Sequence, residues 1–266
     1  MARSYILLGT THQGPRETFP EARKHVAMAL KIDDSLPEAH SALGLTYLFD
    51  DWNWAAAERE FKQAIESDPG VPLTRNIYGF YLAAMGRLPE ALASVQRGQE
   101  LDPLAAPRRH EVSMCYNWMR QPDQAITEAK RALELDPNFV LSFAELGRAY
   151  TQKGMYDEAI AAMKGQGHPR IRGFLGYTYA MAGRKEEAQK ILDELKGLPQ
   201  RRFGDAFALV RIHAALGEKK EAFEWLSKAQ DERDPLVIWL KVDPTLDSLR
   251  SDPRFAQVLK DMGLPP

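Results

Sequence analysis

His110-Glu111 is the pair that first invites a chemical reading. Two histidines one helical turn apart with a glutamate between them would hold zinc and place a general base. The position where the second histidine belongs is Met114. The other histidines are scattered without ligand spacing, and His40 and His213 sit at apolar helix positions where a packed ring is expected. GYTYAMAGRK, residues 176–185, has glycines at the wrong spacing for a phosphate loop. GQGHPR, residues 165–170, follows no strand and so cannot open a dinucleotide fold. Cys115 is the one cysteine, which excludes an intrachain disulfide and a multi-cysteine zinc site, and it has no evident basic partner to make a thiolate. The expectation is a protein that is not an enzyme and holds no metal and no cofactor.

Trp52 and Trp54, in the stretch DDWNW, are the other residues able to make a site. Converging aromatics form cages for cations, but this turn offers only two. Packing is the competing explanation, and the surrounding periodicity decides between them.

The chain has 266 residues, 44% hydrophobic and 27% charged, with a formal net charge of −2. That composition fits neither disorder nor a membrane protein, and the charge supplies no general attraction for nucleic acid or acidic lipid. The apolar run in MARSYILLGTTHQG is too short for a signal-peptide core or a membrane span. A cytoplasmic location is expected.

Internal repetition governs the rest. Ala57, Ala91, Ala125 and Ala159 are spaced by 34 residues, and Pro69, Pro103 and Pro137 keep the same step. AIESDPG, ELDPLA and ALELDPNF are one helix end written three times, while Leu43-Gly44, Val112-Ser113, Leu146-Gly147 and Leu175-Gly176 mark one helix beginning. Apolar residues recur at three and four along both halves of each unit, so each unit holds two amphipathic helices. Gly86, Gly154, Gly183 and Gly217 fall where the first helix must end, and small residues such as Gly44, Gly79, Gly147 and Gly176 admit a close partner helix.

This pattern resembles the tetratricopeptide repeat, whose unit is 34 residues. FAELGRAYTQKGMYDEAI, residues 143–160, carries Phe143, Leu146-Gly147, Tyr150, Gly154, Tyr156 and Ala159 at the signature positions. The resemblance implies an all-α, right-handed α-solenoid of about seven helix pairs. Residues 1–36 would be a degenerate unit, followed by units at 37–71, 72–105, 106–139 and 140–168. Two further units at 169–234 follow a connection shortened by about five residues, with a subdomain boundary expected near 165–170. Residues 235–266 would cap the solenoid, with Val237, Trp239 and Leu240 over the last pair and a final helix opened by Ser251 or Asp252 with Pro253, its Phe255, Val258 and Leu259 facing inward.

Within this register Leu43 precedes Ala57 by 14 residues, against 13 in other units, so DDWNW contains one extra residue. Trp54 then corresponds to Tyr156 and is expected in the core, and Trp52 over the apolar edge of the lengthened turn.

DDWNWAAAEREFKQAIESDPG, YGFYLAAMGR and DPTLDSLRSDPRFAQVLKDMGLPP are also similar to the C-terminal tetratricopeptide regions of multidomain bacterial signalling proteins, namely serine/threonine kinases, winged-helix regulators and adenylate cyclases. No output-domain motif accompanies them, and the truncated first helix points to a piece of a longer protein. The expected role is a protein–protein interaction scaffold binding a protein or peptide, with self-association as the alternative, and with no nucleic acid or membrane as partner.

In the resembled family the partner lies along the exposed face of each first helix. Transferred unit by unit, that face is Ser41, Leu45 and Phe49; Asn76, Phe80 and Ala83; His110, Met114 and Asn117; Ala144, Arg148 and Thr151; Gly173, Tyr177 and Ala180; Phe207 and Arg211. Exposed aromatics with arginine would favour a docked apolar segment, unless neighbouring units or the terminal tail cover them. The lysine–asparagine clamp that some relatives close on a C-terminal carboxylate is absent, since the corresponding positions hold Ser41, Leu45, Ile77, Pro107 and Glu111. A basic patch from Lys196, Arg201 and Arg202, or from Lys219 and Lys220, is read as a solvated connector.

Overall fold

The computed structural model describes residues 1–11, 15–166, 168–198 and 204–264. Among them every regular element is a helix. Seven antiparallel pairs follow one another: α1 (Ala2–Thr11) with α2 (Pro15–Ile32), α3 (Pro37–Thr46) with α4 (Trp54–Ser67), and α5 (Pro72–Ala84) with α6 (Leu88–Leu101). They continue with α7 (Ala106–Trp118) and α8 (Pro122–Leu135), α9 (Val140–Gln152) and α10 (Tyr156–Met163), α11 (Pro169–Met181) and α12 (Lys185–Lys196), and α13 (Asp205–Leu216) and α14 (Lys219–Asp231). Each first helix also packs on the next first helix, which builds the stack.

Local chemistry explains the boundaries. Proline stands at the first or second position of α3, α5, α6, α7, α8 and α11, where its missing N–H costs no helical bond. Close helix contact depends on absent side chains: a Cβ on Gly79 would lie 2.6 Å from Val95, and one on Gly147 2.5 Å from the Met163 sulfur. α10 is the shortest of the second helices, eight residues. The stack nevertheless continues across the connection after it, because α9 packs directly on α11 and α11 on α13. Gly167 in that connection, like Arg201 and Arg202, is outside the described residues.

The extra residue at DDWNW is absorbed as a π-helical turn, Tyr47–Asp51, that ends on Trp52 in the left-handed conformation, φ 53°. Asn53 then caps α4 by accepting from the Ala56 N–H at 3.2 Å. Trp54 is buried, as its register requires. His213 is buried too, whereas His40 is only half-buried and bridges the Glu60 carboxylate and the Asp34 carbonyl, each at 2.7 Å. A hydrophilic ring with two strong acceptors in reach gains more from them than from the apolar core.

The C-terminal residues depart from the expected cap. Two 3-10 turns, Pro235–Trp239 and Pro244–Leu249, lead to α15 (Pro253–Asp261), which is capped by Asp252 and carries buried Phe255 with Val258 and Leu259 half-buried. This arm does not stop on the last pair. It lies along the inner wall of first helices and reaches back to the second unit, where the Trp54 indole N–H donates to the Met262 carbonyl at 2.7 Å. One apolar core therefore joins Phe61, Leu82 and Trp118 of the early units to Phe207, Leu226 and the arm, while α9–α13 hold two smaller cores of their own.

Candidate functional site

The inner wall is filled. Trp239 of the arm sets its ring against Phe80 (centroids 5.7 Å, edge-on) and Trp118 (5.3 Å), and its indole N–H donates to the Phe80 carbonyl at 3.2 Å. Four residues on, Asp243 accepts from the Arg211 guanidinium at 2.7 Å and stands 3.6 Å from that of Arg148. Arg211 is itself stacked between the Phe174 and Phe207 rings, 4.4 Å from each centroid. Burial works against the Asp243 charge, but the two guanidinium groups outweigh it and hold its pKa down to about 2. Asp234, at the start of the arm, accepts from the backbone N–H groups of Gly204 (3.1 Å) and Leu236 (2.9 Å), and burial nevertheless pushes its pKa up to about 6.

This arrangement corrects the expected open groove. Phe49, Met114, Phe207 and Arg211 are buried, and Phe80 and Leu45 are half-buried against the main core. Several polar wall positions serve contact between units instead of a partner. Ser41 bonds Thr74 across α3 and α5 (3.1 Å), Thr151 bonds Thr178 across α9 and α11 (2.8 Å), and Asn117 donates to Glu145 across α7 and α9 (2.8 Å). Asn76 is fully buried against Gly98 with neither amide atom bonded. His110 is buried edge-on to Phe139, and burial lowers its pKa to about 4, so it is a neutral ring. Arg148 is buried and paired with Glu145 at 2.9 Å. Ala83 and Ala144 are wholly buried and Ala180 nearly so, and a Cβ on Gly173 would lie 2.6 Å from that of Ala208.

Tyr177, half-buried, borders open space. A cleft of 670 Å³ runs between the C-terminal ends of α9, α11 and α13 on one side and the Pro244–Leu249 turn on the other. Tyr156, Tyr177, Met181, Pro122 and Pro244 give it an apolar lining, and Arg120, Lys153 and Asp247 rim it. Neither tyrosine hydroxyl is bonded to a described residue. Thr151 and Gln152 reach the same cleft.

Phe174, Trp118, Glu145 and Asp243 were not among the expected site residues. The sequence held one signal for them: a glycine ends the first helix in four units, but the equivalent place in the fourth is Arg120, which adopts φ 56°. Arg120 holds Asp247 of the arm with both carboxylate oxygens, at 2.7 and 3.0 Å. Trp52 is the second such non-glycine residue and Arg233 the third, and these two stack on one another at 3.6 Å. Among the described residues, the three non-glycine left-handed positions thus tie the arm, or the turn that leads into it, to the repeats, and the contacts offset a backbone cost of about 1–2 kcal/mol each.

The described residues contain no group of three metal-binding side chains and no helix long and apolar enough to cross a membrane. Models of the tetratricopeptide repeat match residues 44–106 and 128–161. Human tetratricopeptide repeat protein 13 is 25% identical over 168 residues, covering 62% of this chain and 19% of its own length, so the chain spans about a fifth of that relative. Among solved structures, a TPR protein of Thermus thermophilus is 22% identical with a TM-score of 0.59, covering 68% of this chain and 98% of the other. Pseudomonas aeruginosa pilF gives 20% and 0.55, covering 85% and 97%. The APC/C hetero-tetramer Cut9–Hcn1 gives 16% and 0.61, covering 90% of this chain and 45% of the other. Repeat register, helix pairing and these likenesses agree: the chain is an all-α solenoid built from tetratricopeptide repeats.

Proposed function

We propose that this solenoid is a non-catalytic protein–protein interaction scaffold that takes a protein or peptide segment in the 670 Å³ cleft, its inner wall being filled by its own C-terminal arm. The observation that carries the reading is the burial of the arm. Leu236, Val237, Ile238, Trp239, Leu240, Val242, Leu246 and Leu249 are all buried. At roughly 1.5–3 kcal/mol each, vacating the wall would cost on the order of 12–24 kcal/mol, as much as or more than the roughly 5–15 kcal/mol that holds a whole domain folded. A partner therefore docks beside the arm and not in its place. The cleft has a volume usual for ligand sites, apolar walls, and unbonded tyrosine hydroxyls to fix a backbone.

The finer reading is that the chain forms the regulatory part of a larger bacterial signalling protein in the cytoplasm. The resemblance of DDWNWAAAEREFKQAIESDPG and the C-terminal segment to such regions supports it. The test is affinity capture from lysate with the wild type, a Tyr156→Ala/Met181→Asp cleft variant and an exposed control, Lys62→Ala. A partner kept by wild type and control but lost by the cleft variant is expected. A partner kept by all three would sink the assignment, and concentration-dependent mass in ultracentrifugation would move it to self-assembly.

A further inference from the structure

The charges around the 670 Å³ cleft are held by one another. Arg120 donates to both Asp247 oxygens, at 2.7 and 3.0 Å, and Asp247 also accepts from Arg250 at 2.7 Å. Lys153 donates to Asp123 at 2.6 Å. Each rim charge therefore has an opposite charge in contact, and a charged ligand would compete with these pairs where a neutral one would not. The remaining surfaces are the Tyr156 and Tyr177 rings, Pro122, Pro244 and Met181. Burial, and then the Asp243 and Asp247 charges, push the Tyr177 pKa up, so its hydroxyl keeps its proton and can donate.

Such a lining selects on the ligand's backbone. An extended segment of ordinary residues brings one N–H donor per residue, and each one buried against an apolar wall without an acceptor is destabilising. A strand edge would accept them, but every regular element among the described residues is a helix. Proline brings no N–H, while its carbonyl is an acceptor that a tyrosine hydroxyl can meet. A run of prolines is also extended before it binds, so little further ordering opposes docking, and its rings lie well on aromatic faces.

We propose that the segment taken by the cleft is uncharged and proline-rich, bound as a polyproline II helix with its rings on Tyr156 and Tyr177 and its carbonyls accepting from their hydroxyls. This rests on the cleft being the docking site, as proposed above. Because Pro244 and Ser248 of the arm belong to one wall, the site is complete only while the arm is docked.

The test uses the full chain and a fluorescein-labelled decaproline peptide, followed by anisotropy beside an alanine-based helical peptide and a glycine–serine peptide of equal length. Saturable binding of decaproline alone is expected. Tyr156→Phe/Tyr177→Phe keeps both rings and removes both hydroxyls, and with its fold verified by circular dichroism it should bind roughly 2- to 12-fold more weakly per hydroxyl lost. Placing lysine or glutamate at every third position of the peptide should not tighten binding. No binding of decaproline, equal binding of a comparison peptide, tighter binding of a charged one, or no effect of losing the hydroxyls would overturn the proposal. If decaproline fails while capture from lysate still depends on Tyr156 and Met181, the cleft stands as the docking site and only the chemistry of its occupant falls.

Discussion

Replacing Trp239 by alanine separates an arm that is part of the core from one that merely closes the solenoid's end. Trp239 is 7% exposed and stands against two aromatic rings, Phe80 and Trp118, on different units. Deleting a buried tryptophan costs about 3–5 kcal/mol, and each aromatic pair adds about 0.5–1.5 kcal/mol to what area alone would give. The upper part of that range is expected, because the indole N–H bond to the Phe80 carbonyl is lost too. For a chain of this size the loss corresponds to a Tm lower by roughly 8–20 °C. Urea unfolding followed by circular dichroism gives the energy, and hydrogen exchange tells where it acts. Amides of α5 and α7 should lose protection although position 239 lies more than 100 residues away along the chain. A loss under about 1 kcal/mol, or exchange changes confined to α13 and α14, would refute the argument, since a terminal cap would weaken only the pair it covers.

Three further outcomes follow from the same structure. Arg120→Ala keeps the left-handed backbone and loses the Asp247 contact, whereas Arg120→Gly loses the same contact and relieves the backbone, so chemical denaturation should find the glycine variant more stable by about 1 kcal/mol. Asp243, with a folded pKa near 2 and an ordinary carboxylate value when unfolded, contributes stability that is fully present above about pH 4. That contribution is lost as pH falls through 2, and it is worth roughly 2 kcal/mol by the pKa difference. Stability of the wild type relative to Asp243→Asn should therefore shrink between pH 4 and pH 2, and a constant difference would contradict it. Cys115 is wholly buried and its thiol is pushed far up by burial and by Glu111, so a thiol reagent should label it only at the rate of unfolding. Burst labelling of the folded protein would show otherwise.

The sequence by itself determined the repeats. The 34-residue step from Ala57 to Ala159, the glycines at the helix turns and the prolines at helix starts are local signals, each acting within a few residues, so helix number, register and the burial of Trp54 could be read from them. The extra residue at DDWNW was legible for the same reason, though not that it would form a π turn. What fills the wall was decided only in three dimensions. An apolar stretch such as PLVIWL is equally suited to an end cap or to an inner wall, because its composition states that it must be buried and not against what. The choice rests on pairings 159 and 208 residues apart, Trp239 with Phe80 and Met262 with Trp54, and on opposite charges at Asp243 and Arg211. A repeat pattern describes how each unit meets the next. It carries no information about which non-repeating segment complements the surface that the stacked units create together, and here that segment turns an expected open groove into the protein's main core.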